Sequence, residues 1–259
     1  LEGYSPDFVE YIIKNYVSKN AKVIYDPFSG TGTTPIVASG LGYTSFYSEV
    51  NQLLQFLVKV KARARNIDNP KRIVSLLETA KQGLRTEIPK QIEDQELKQT
   101  YSTTFGKSKF FSDQTFSHVL KTRAYLNKVY FKDVILSELV TIAAVSVLIE
   151  NSFLKRHGDL RFRRENELQE LANIDYFTTL EDRIQKIIDD IKTIQPSQAP
   201  TFITEDARMI GKLPFLGIDA VITSPPYLNG TNYFRNTKIE LWFLGHLKNQ
   251  ENLSNFRRL

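Results

Sequence analysis

One nine-residue segment near the amino terminus leaves this chain few folds to choose from: Asp26-Pro27-Phe28-Ser29-Gly30-Thr31-Gly32-Thr33-Thr34. It follows a short run, Lys22 to Tyr25, that reads as a buried strand. It precedes Pro35 to Ser39, which reads as a helix ending at Gly40 or Gly42. Thr44 to Val50 then reads as a second strand with Glu49 at its end. Helix resumes from Asn51, with Leu53, Leu54, Leu57, Val58 and Lys61 marking the turns. The result is a strand–turn–helix–strand unit of an α/β domain with an acid at each strand end. Upstream, Ser5-Pro6-Asp7 supplies a cap, a first-position proline and a first-turn acid. Val9, Ile12, Ile13 and Tyr16 follow at helical spacing.

The turn has the chemistry of a cofactor loop. Gly30 and Gly32 let the backbone approach a ligand where a side chain would collide. Glu49 lies 23 residues beyond Asp26, about where dinucleotide folds carry a ribose-binding carboxylate. No lysine follows the glycines, which argues against a nucleoside triphosphatase. A cofactor carrying both a ribose and an amino acid, such as S-adenosylmethionine, needs an acceptor for its ammonium and backbone donors for its carboxylate. Asp26 and the glycine backbone supply them.

Two further strands are expected at Thr201 to Thr204 and Asp219 to Thr223. Asp206 follows the first, either as an acceptor for an adenine amino group or as a helix N-cap. The second delivers Thr223-Ser224-Pro225-Pro226-Tyr227. Consecutive prolines stiffen the backbone, and having no N–H they leave nearby carbonyls free to accept. Acceptors out of the plane of an amino-bearing base hold its hydrogens and favour a pyramidal nitrogen, whose lone pair can then attack a methyl group held in line. Tyr227 offers a flat face for a base swung out of a duplex.

Between these ends, Ile67 to Gln195 carries much helical and little strand signal. Val134 to Ile149, apolar on nearly every side, reads as a buried helix. Thr178 with Glu181 reads as a capping box opening a helix whose face is Leu180, Ile184, Ile187, Ile188, Ile191 and Ile194. The expected divisions are 1–66, half of a core that binds cofactor; 67–195, a mainly helical insertion; and 196–259, the half of the core that takes the target base. Lys107 and Lys109 stand beside Phe110 and Phe111. Lys155, Arg156, His157, Arg161, Arg163 and Arg164 form a second basic stretch, either a phosphate-neutralising cluster or a solvated helix-and-loop surface. Lys and Arg together number 34 against 29 Asp and Glu, which suits a polyanion partner without demanding one. The chain has no cysteine and three scattered histidines, so no disulfide and no metal site is expected. No run is long enough to cross a bilayer and no signal peptide is visible, so a cytoplasmic protein is expected.

The two loops together resemble those of the DNA amino-methyltransferases, which methylate cytosine N4 or adenine N6. Asp26 through Thr34 matches a DPFxGxGTT-like segment that holds S-adenosylmethionine in that family. Ser224-Pro225-Pro226-Tyr227 matches its (S/T/D/N)PPY segment for the target base. The resemblance lies in the two ends of the chain. It implies a Rossmann-like, S-adenosylmethionine-dependent α/β fold with a large helical insertion. It places Asp26, Phe28, Gly30, Gly32 and Thr33 on the methionine end of the cofactor, Glu49 on its ribose and Asp206 on its adenine. It places Ser224, Pro225, Pro226 and Tyr227 on the base. It implies double-stranded DNA as partner, site-specific methylation of the restriction-modification kind, and base flipping. The Ser-Pro-Pro-Tyr form favours cytosine N4 over adenine N6. The family's core has further strands after the fourth, so a partner or a further segment is expected to complete it. Beginning at Leu1, the chain is expected to be a fragment. An RNA amino-methyltransferase and a non-catalytic nucleic-acid-binding subunit of the same fold are the alternatives.

Overall fold

The computed structural model describes residues 4–130, 132–212, 217–225 and 233–256. Helix α1 spans Pro6–Tyr16, and Ser5 Oγ accepts from the Phe8 N–H at 3.2 Å as its cap. Strand β1 (Val23–Asp26), helix α2 (Thr33–Gly40), strand β2 (Thr44–Ser48) and helix α3 (Gln52–Ala64) follow. Asn51 caps α3 by accepting from Leu53 N–H at 3.0 Å. Next come helices α4 (Pro70–Glu87), α5 (Gln95–Phe105), α6 (Asp113–Tyr130) and α7 (Val134–Val147). Strands β3 (Leu154–His157) and β4 (Asp159–Phe162) precede helices α8 (Glu165–Ala172) and α9 (Tyr176–Thr193). The chain ends with β5 (Thr201–Thr204), a 3-10 turn at Ala207–Lys212, β6 (Ala220–Val221), α10 (Tyr233–Phe243) and α11 (Gln250–Phe256).

The chain divides into two compact units. The first is Leu1–Asp68 with Ile194–Gly230, and the second is Asn69–Thr193 with Thr231–Leu259. The segment after Gly230, grouped with the target-base half in the sequence reading, thus packs in the helical unit.

In the first unit, four strands make one parallel sheet in the order β5–β2–β1–β6. β1 and β2 run in step from Val23 opposite Thr44 to Asp26 opposite Tyr47. On β5, Phe202 pairs with Tyr47 and Thr204 with Ser48, so Ile203 is an extra residue that bulges the edge strand. Val9 and Ile13 of α1 and Ala38 of α2 pack on Ile24 of β1, flanked by Tyr4, Val17, Val37, Tyr43, Ala220 and Ile222. β6 is shorter than the predicted Asp219 to Thr223, and its ladder is extended at both ends. Asp219 N–H donates to Val23 O at 3.0 Å and Ile222 N–H to Tyr25 O at 3.1 Å. Asp219 Oδ2 also accepts from the N–H groups of Lys22 and Val23, at 2.7 and 2.9 Å. Those bonds hold the Asp219 carboxyl below the usual carboxylate range.

In the second unit, α7 is buried on nearly all sides because α4, α6 and α9 surround it. α9 lays Leu180, Ile184, Ile188 and Ile191 against α4 and α7. Trp242 and Phe243 of α10 are fully buried. The Trp242 ring meets Tyr101 edge-on at 5.1 Å between centroids, and its Nε1–H donates to Leu97 O at 3.1 Å.

Two sequence expectations are corrected here. The basic stretch from Lys155 to Arg164 is mostly an antiparallel hairpin, β3–β4, turning at Gly158 with φ 71°. Alternation of Leu154 and Leu160 with cations conceals a half-buried strand inside a charge run. Its cations are largely engaged within the unit. Arg161 makes a two-point bond to Glu167, which Lys155 also meets at 3.0 Å, and Arg156 pairs with buried Glu240. Arg163 donates to the carbonyls of Ser152 and Glu150. The hairpin turn is bolted to α10 by Asn236, whose amide accepts from Leu160 N–H at 2.8 Å and donates to Gly158 O at 3.2 Å. Phe110 and Phe111, beside the other basic stretch, are core residues.

The second correction concerns the start of α9. The cap is Asp175, whose Oδ2 accepts from Thr178 N–H at 2.9 Å, so Thr178 lies in the first turn. Glu181 pairs outward with Arg85 at 2.9 Å. A carboxylate at the N-cap also meets the positive end of the helix dipole. Asp175→Ala is expected to cost about 1 kcal/mol of stability, whereas Glu181→Gln costs at most about 0.5 kcal/mol as an exposed pair. Urea denaturation of the two variants measures the difference.

Candidate functional site

Parallel strands end on one edge of their sheet, and the order β5–β2–β1–β6 reverses direction at β1. Open α/β sheets bind ligands in the crevice at such a reversal, outside the strands' carboxyl ends. Asp26 closes β1 at that point. It is entirely buried, and donors surround its carboxylate. Oδ1 accepts from Phe28 N–H at 3.0 Å and from the Thr223 hydroxyl at 2.6 Å. Oδ2 faces the Tyr4 hydroxyl at 3.3 Å, and the Thr34 hydroxyl bonds the carboxyl as well. Tyr4 and Thr34 also share a short hydrogen bond. Burial raises the Asp26 pKa above the usual carboxylate range even against these donors, and it pushes the Tyr4 phenol up to about 12.

The glycine loop turns through two left-handed residues, Gly30 at φ 55° and Gly32 at φ 84°. At Gly32 a Cβ would lie 2.6 Å from Val58 Cγ2, so α3 packs where a side chain would stand. At Gly30 a Cβ would meet nothing within 4 Å, leaving open space over the loop. Lys61 Nζ donates to the Thr31 carbonyl at 2.8 Å, tying the loop to α3. Ser29 is buried, its N–H donating to Ser48 O at 3.1 Å.

Glu49, one residue past β2, joins the loop to the neighbouring strand. Oε2 accepts from Gly30 N–H at 2.8 Å and Oε1 from Asn51 N–H at 2.9 Å. A carboxylate offers about four acceptor positions, and with the Val50 N–H also bonded to it about one remains for a ligand. Burial is the largest cause raising the Glu49 pKa, to about 7, with the Asp26 charge adding to it.

Asp206 follows β5, where its carboxylate is engaged by Arg208. Oδ1 accepts from Arg208 N–H at 3.0 Å and Nε–H at 2.8 Å, and Oδ2 from an Nη2–H at 2.8 Å. It stands at the opening of the 3-10 turn, and Met209 N–H donates to its carbonyl at 2.9 Å. Phe28, 41% exposed, and Thr33, at the first position of α2, flank the loop. Ser224 and Pro225 are exposed just beyond β6. Pro226 and Tyr227 lie outside the described residues.

The structure thus brings together two hydrogen-bonded pairs at neighbouring strand ends, Asp26 with Thr223 and Glu49 with Gly30. Sequence reasoning missed Tyr4, Thr223, Lys61 and Arg208 as members of this neighbourhood. Thr223 alone carried a signal, as the first residue of the Thr223-to-Tyr227 peptide already singled out, though without a role of its own. Tyr4 and Lys61 reach the site only through tertiary folding. Among the described residues no cluster of His, Asp or Glu is placed to hold a metal ion, and no helix is long and apolar enough to cross a membrane.

No family model matches this chain, and no solved structure matches it. Among curated proteins it is similar to Type II methyltransferases at low identity. It is 24% identical to Type II methyltransferase M.BsoBI of Geobacillus stearothermophilus, over 94% of this chain and 51% of that protein. It is 22% identical to Type II methyltransferase M.AvaI of Nostoc sp. and of Anabaena variabilis, over 94% of this chain and 52% of each. The chain therefore spans about half the length of the curated relatives it matches. The likeness runs through the helical middle as well as the two motif-bearing ends.

The Glu49 carboxyl sets a testable pH dependence. Its folded pKa of about 7 lies above the ordinary 4.5, so the folded chain holds the proton more tightly than the unfolded chain. The resulting stabilisation is full below about pH 4.5 and lost as pH rises through about 7, with a span of about 3 kcal/mol. In chemical denaturation across this range, Glu49→Gln is expected to flatten that decline.

Proposed function

We propose that this chain is the part of a site-specific DNA methyltransferase that binds the methyl donor and the target base, acting on an exocyclic amino nitrogen with cytosine N4 favoured. The carrying observation is the direct bond between Thr223 and Asp26, because it makes the two motif loops neighbours at the reversal of strand order in a Rossmann-like sheet. Similarity to Type II methyltransferases over nearly the whole chain supports the same reading.

The residues present fit S-adenosylmethionine. The space over Gly30 admits a ligand against the backbone. The remaining acceptor position of Glu49 suits a ribose hydroxyl. Backbone N–H groups at the start of α2 suit a carboxylate. Asp26 suits an ammonium on its Oδ2 side, where the Tyr4 contact at 3.3 Å is longer than the Phe28 and Thr223 bonds on Oδ1. Phe28 and Thr33 flank that end of the cofactor. Asp206 is assigned to the adenine amino group, which requires Arg208 to swing aside, and that exposed pair is weakly held. When bound, S-adenosylmethionine supplies an electrophilic methyl group on a sulfonium.

The chain's own work is orientation. Ser224 and the carbonyl of Pro225 accept the hydrogens of the target amino group, Pro226 keeps the turn rigid, and Tyr227 stacks the flipped base. Holding the nitrogen in line with the donor converts an encounter into a positioned attack. Double-stranded DNA is the assigned substrate, within a restriction-modification pair. A further segment or a partner completes the core.

Labelled S-adenosylmethionine incubated with duplex DNA, followed by nucleoside mass spectrometry, tests this directly. N4-methylcytosine is the expected product, and N6-methyladenine would keep the reaction while moving the base. Methylated RNA without methylated DNA in a competition assay would overturn the choice of substrate. Asp26→Ala is expected to weaken cofactor binding at least about tenfold by calorimetry, as the loss of a charged hydrogen-bonding group. Tyr227→Ala is expected to lower turnover more than cofactor affinity. Because Glu49 accepts a ribose hydroxyl best when ionised, affinity for the donor should rise as pH rises through about 7, and Glu49→Gln should abolish that rise.

A further inference from the structure

The backbone ladder of β6 ends with the Ile222 N–H, which donates to Tyr25 O at 3.1 Å. Pro225 has no N–H with which to resume it. Between them, the Thr223 side chain turns back to β1 and donates its hydroxyl to Asp26 Oδ1 at 2.6 Å. The same oxygen receives Phe28 N–H from the glycine loop at 3.0 Å. Tyr4 stands on the other oxygen. The Asp26 carboxylate therefore has one side committed to two chain segments, the glycine loop and the segment leading into Ser224-Pro225. Its other side is held by the longer contact.

Resting on the reading given under Proposed function, we propose that Thr223 is a positioning residue for methyl transfer. Its hydroxyl, held by Asp26, ties the segment entering Ser224-Pro225 to the loop that holds the donor. The bond is well suited to the task. It is charge-assisted and lies against a fully buried carboxylate. The restricted φ of Pro225 stiffens the two-residue link that carries the position of Thr223 onward. The role requires a hydroxyl at Cβ and not merely bulk, so serine preserves it and the isosteric valine removes it.

The experiment uses the full chain with Thr223→Val and Thr223→Ser. It reads amide hydrogen exchange over the peptide spanning 220–228, affinity for S-adenosylhomocysteine by calorimetry, and kcat and KM for methyl transfer. Thr223→Val is expected to speed exchange at Ile222, whose N–H is the last ladder donor of β6, by about tenfold or more, as the loss of a neighbouring bond to a charged group. Protection at 26–34 and affinity for S-adenosylhomocysteine stay within about twofold, because Phe28 N–H and Thr34 still hold Asp26. kcat falls by about tenfold or more while KM changes less, and Thr223→Ser behaves as the unaltered chain. Wild-type exchange in Thr223→Val overturns the proposal. So does an equal defect in Thr223→Ser, which would place the role in packing of the methyl group. Failure of the unaltered chain to bind S-adenosylhomocysteine overturns the functional reading instead, and the exchange measurement still decides whether Thr223 tethers the loop.

Discussion

The first unit depends on one buried carboxylate. A charge taken out of water is costly unless hydrogen bonds replace its hydration, and Asp26 finds its replacements in four places at once. They are Tyr4 ahead of α1, Phe28 in the glycine loop, Thr34 in α2 and Thr223 beyond β6. Those four groups are spread from near the amino terminus to residue 223, so satisfying the carboxylate fixes how distant segments meet. The adjacent acid, Glu49, does the same locally by holding the Gly30 and Asn51 N–H groups. The site is thus assembled by acceptors that organise donors.

β6 shows how little backbone pairing such a scheme needs. Its ladder is short, yet side-chain carboxylates grip it at both ends. Asp219 holds Lys22 and Val23 at the start of β1, and Asp26 holds Thr223. A strand this short contributes few ladder bonds, and the polar staples make up what length would otherwise provide. Hydroxyl and carboxylate positions at strand ends therefore matter here as much as β propensity within them.

The sequence made much of the first unit legible because its signals are local. The Ser5-Pro6 cap, the left-handed glycines and the run from Thr44 into the Asn51 cap each act within a few residues, and the elements follow them closely. Thr201 to Thr204 was equally plain. What escaped was tertiary in origin. Tyr4 and Lys61 carry no local signature, and only folding brings them to Asp26 and Thr31. The β3–β4 hairpin was hidden by its own arginines, since a half-buried strand with cations on its outer face reads as a charged surface. Thr178 and Glu181 matched a capping pattern, but Asp175, three residues earlier, is the stronger acceptor and took the position. Those hairpin cations also show why net charge is a poor guide to a polyanion surface. Arg156, Arg161 and Arg163 contribute to the formal charge of +5 while being engaged by Glu240, Glu167 and backbone carbonyls.

Each unit is continuous in space and interrupted in sequence. β1 and β2 are made first, but β5 and β6, which flank them, come only after the whole of Asn69–Thr193. At about 5–20 residues per second, a ribosome takes on the order of ten seconds to cover that interval. During synthesis a two-stranded, half-covered sheet must wait with both outer edges unpaired, and Asp26 waits without Thr223. The helical segment has time to collapse in the meantime, although α10 with its Trp242, and α11 after it, arrive last. The order of manufacture thus runs against the order of assembly, and the nascent chain is most exposed to mispairing at the two strands that carry the site.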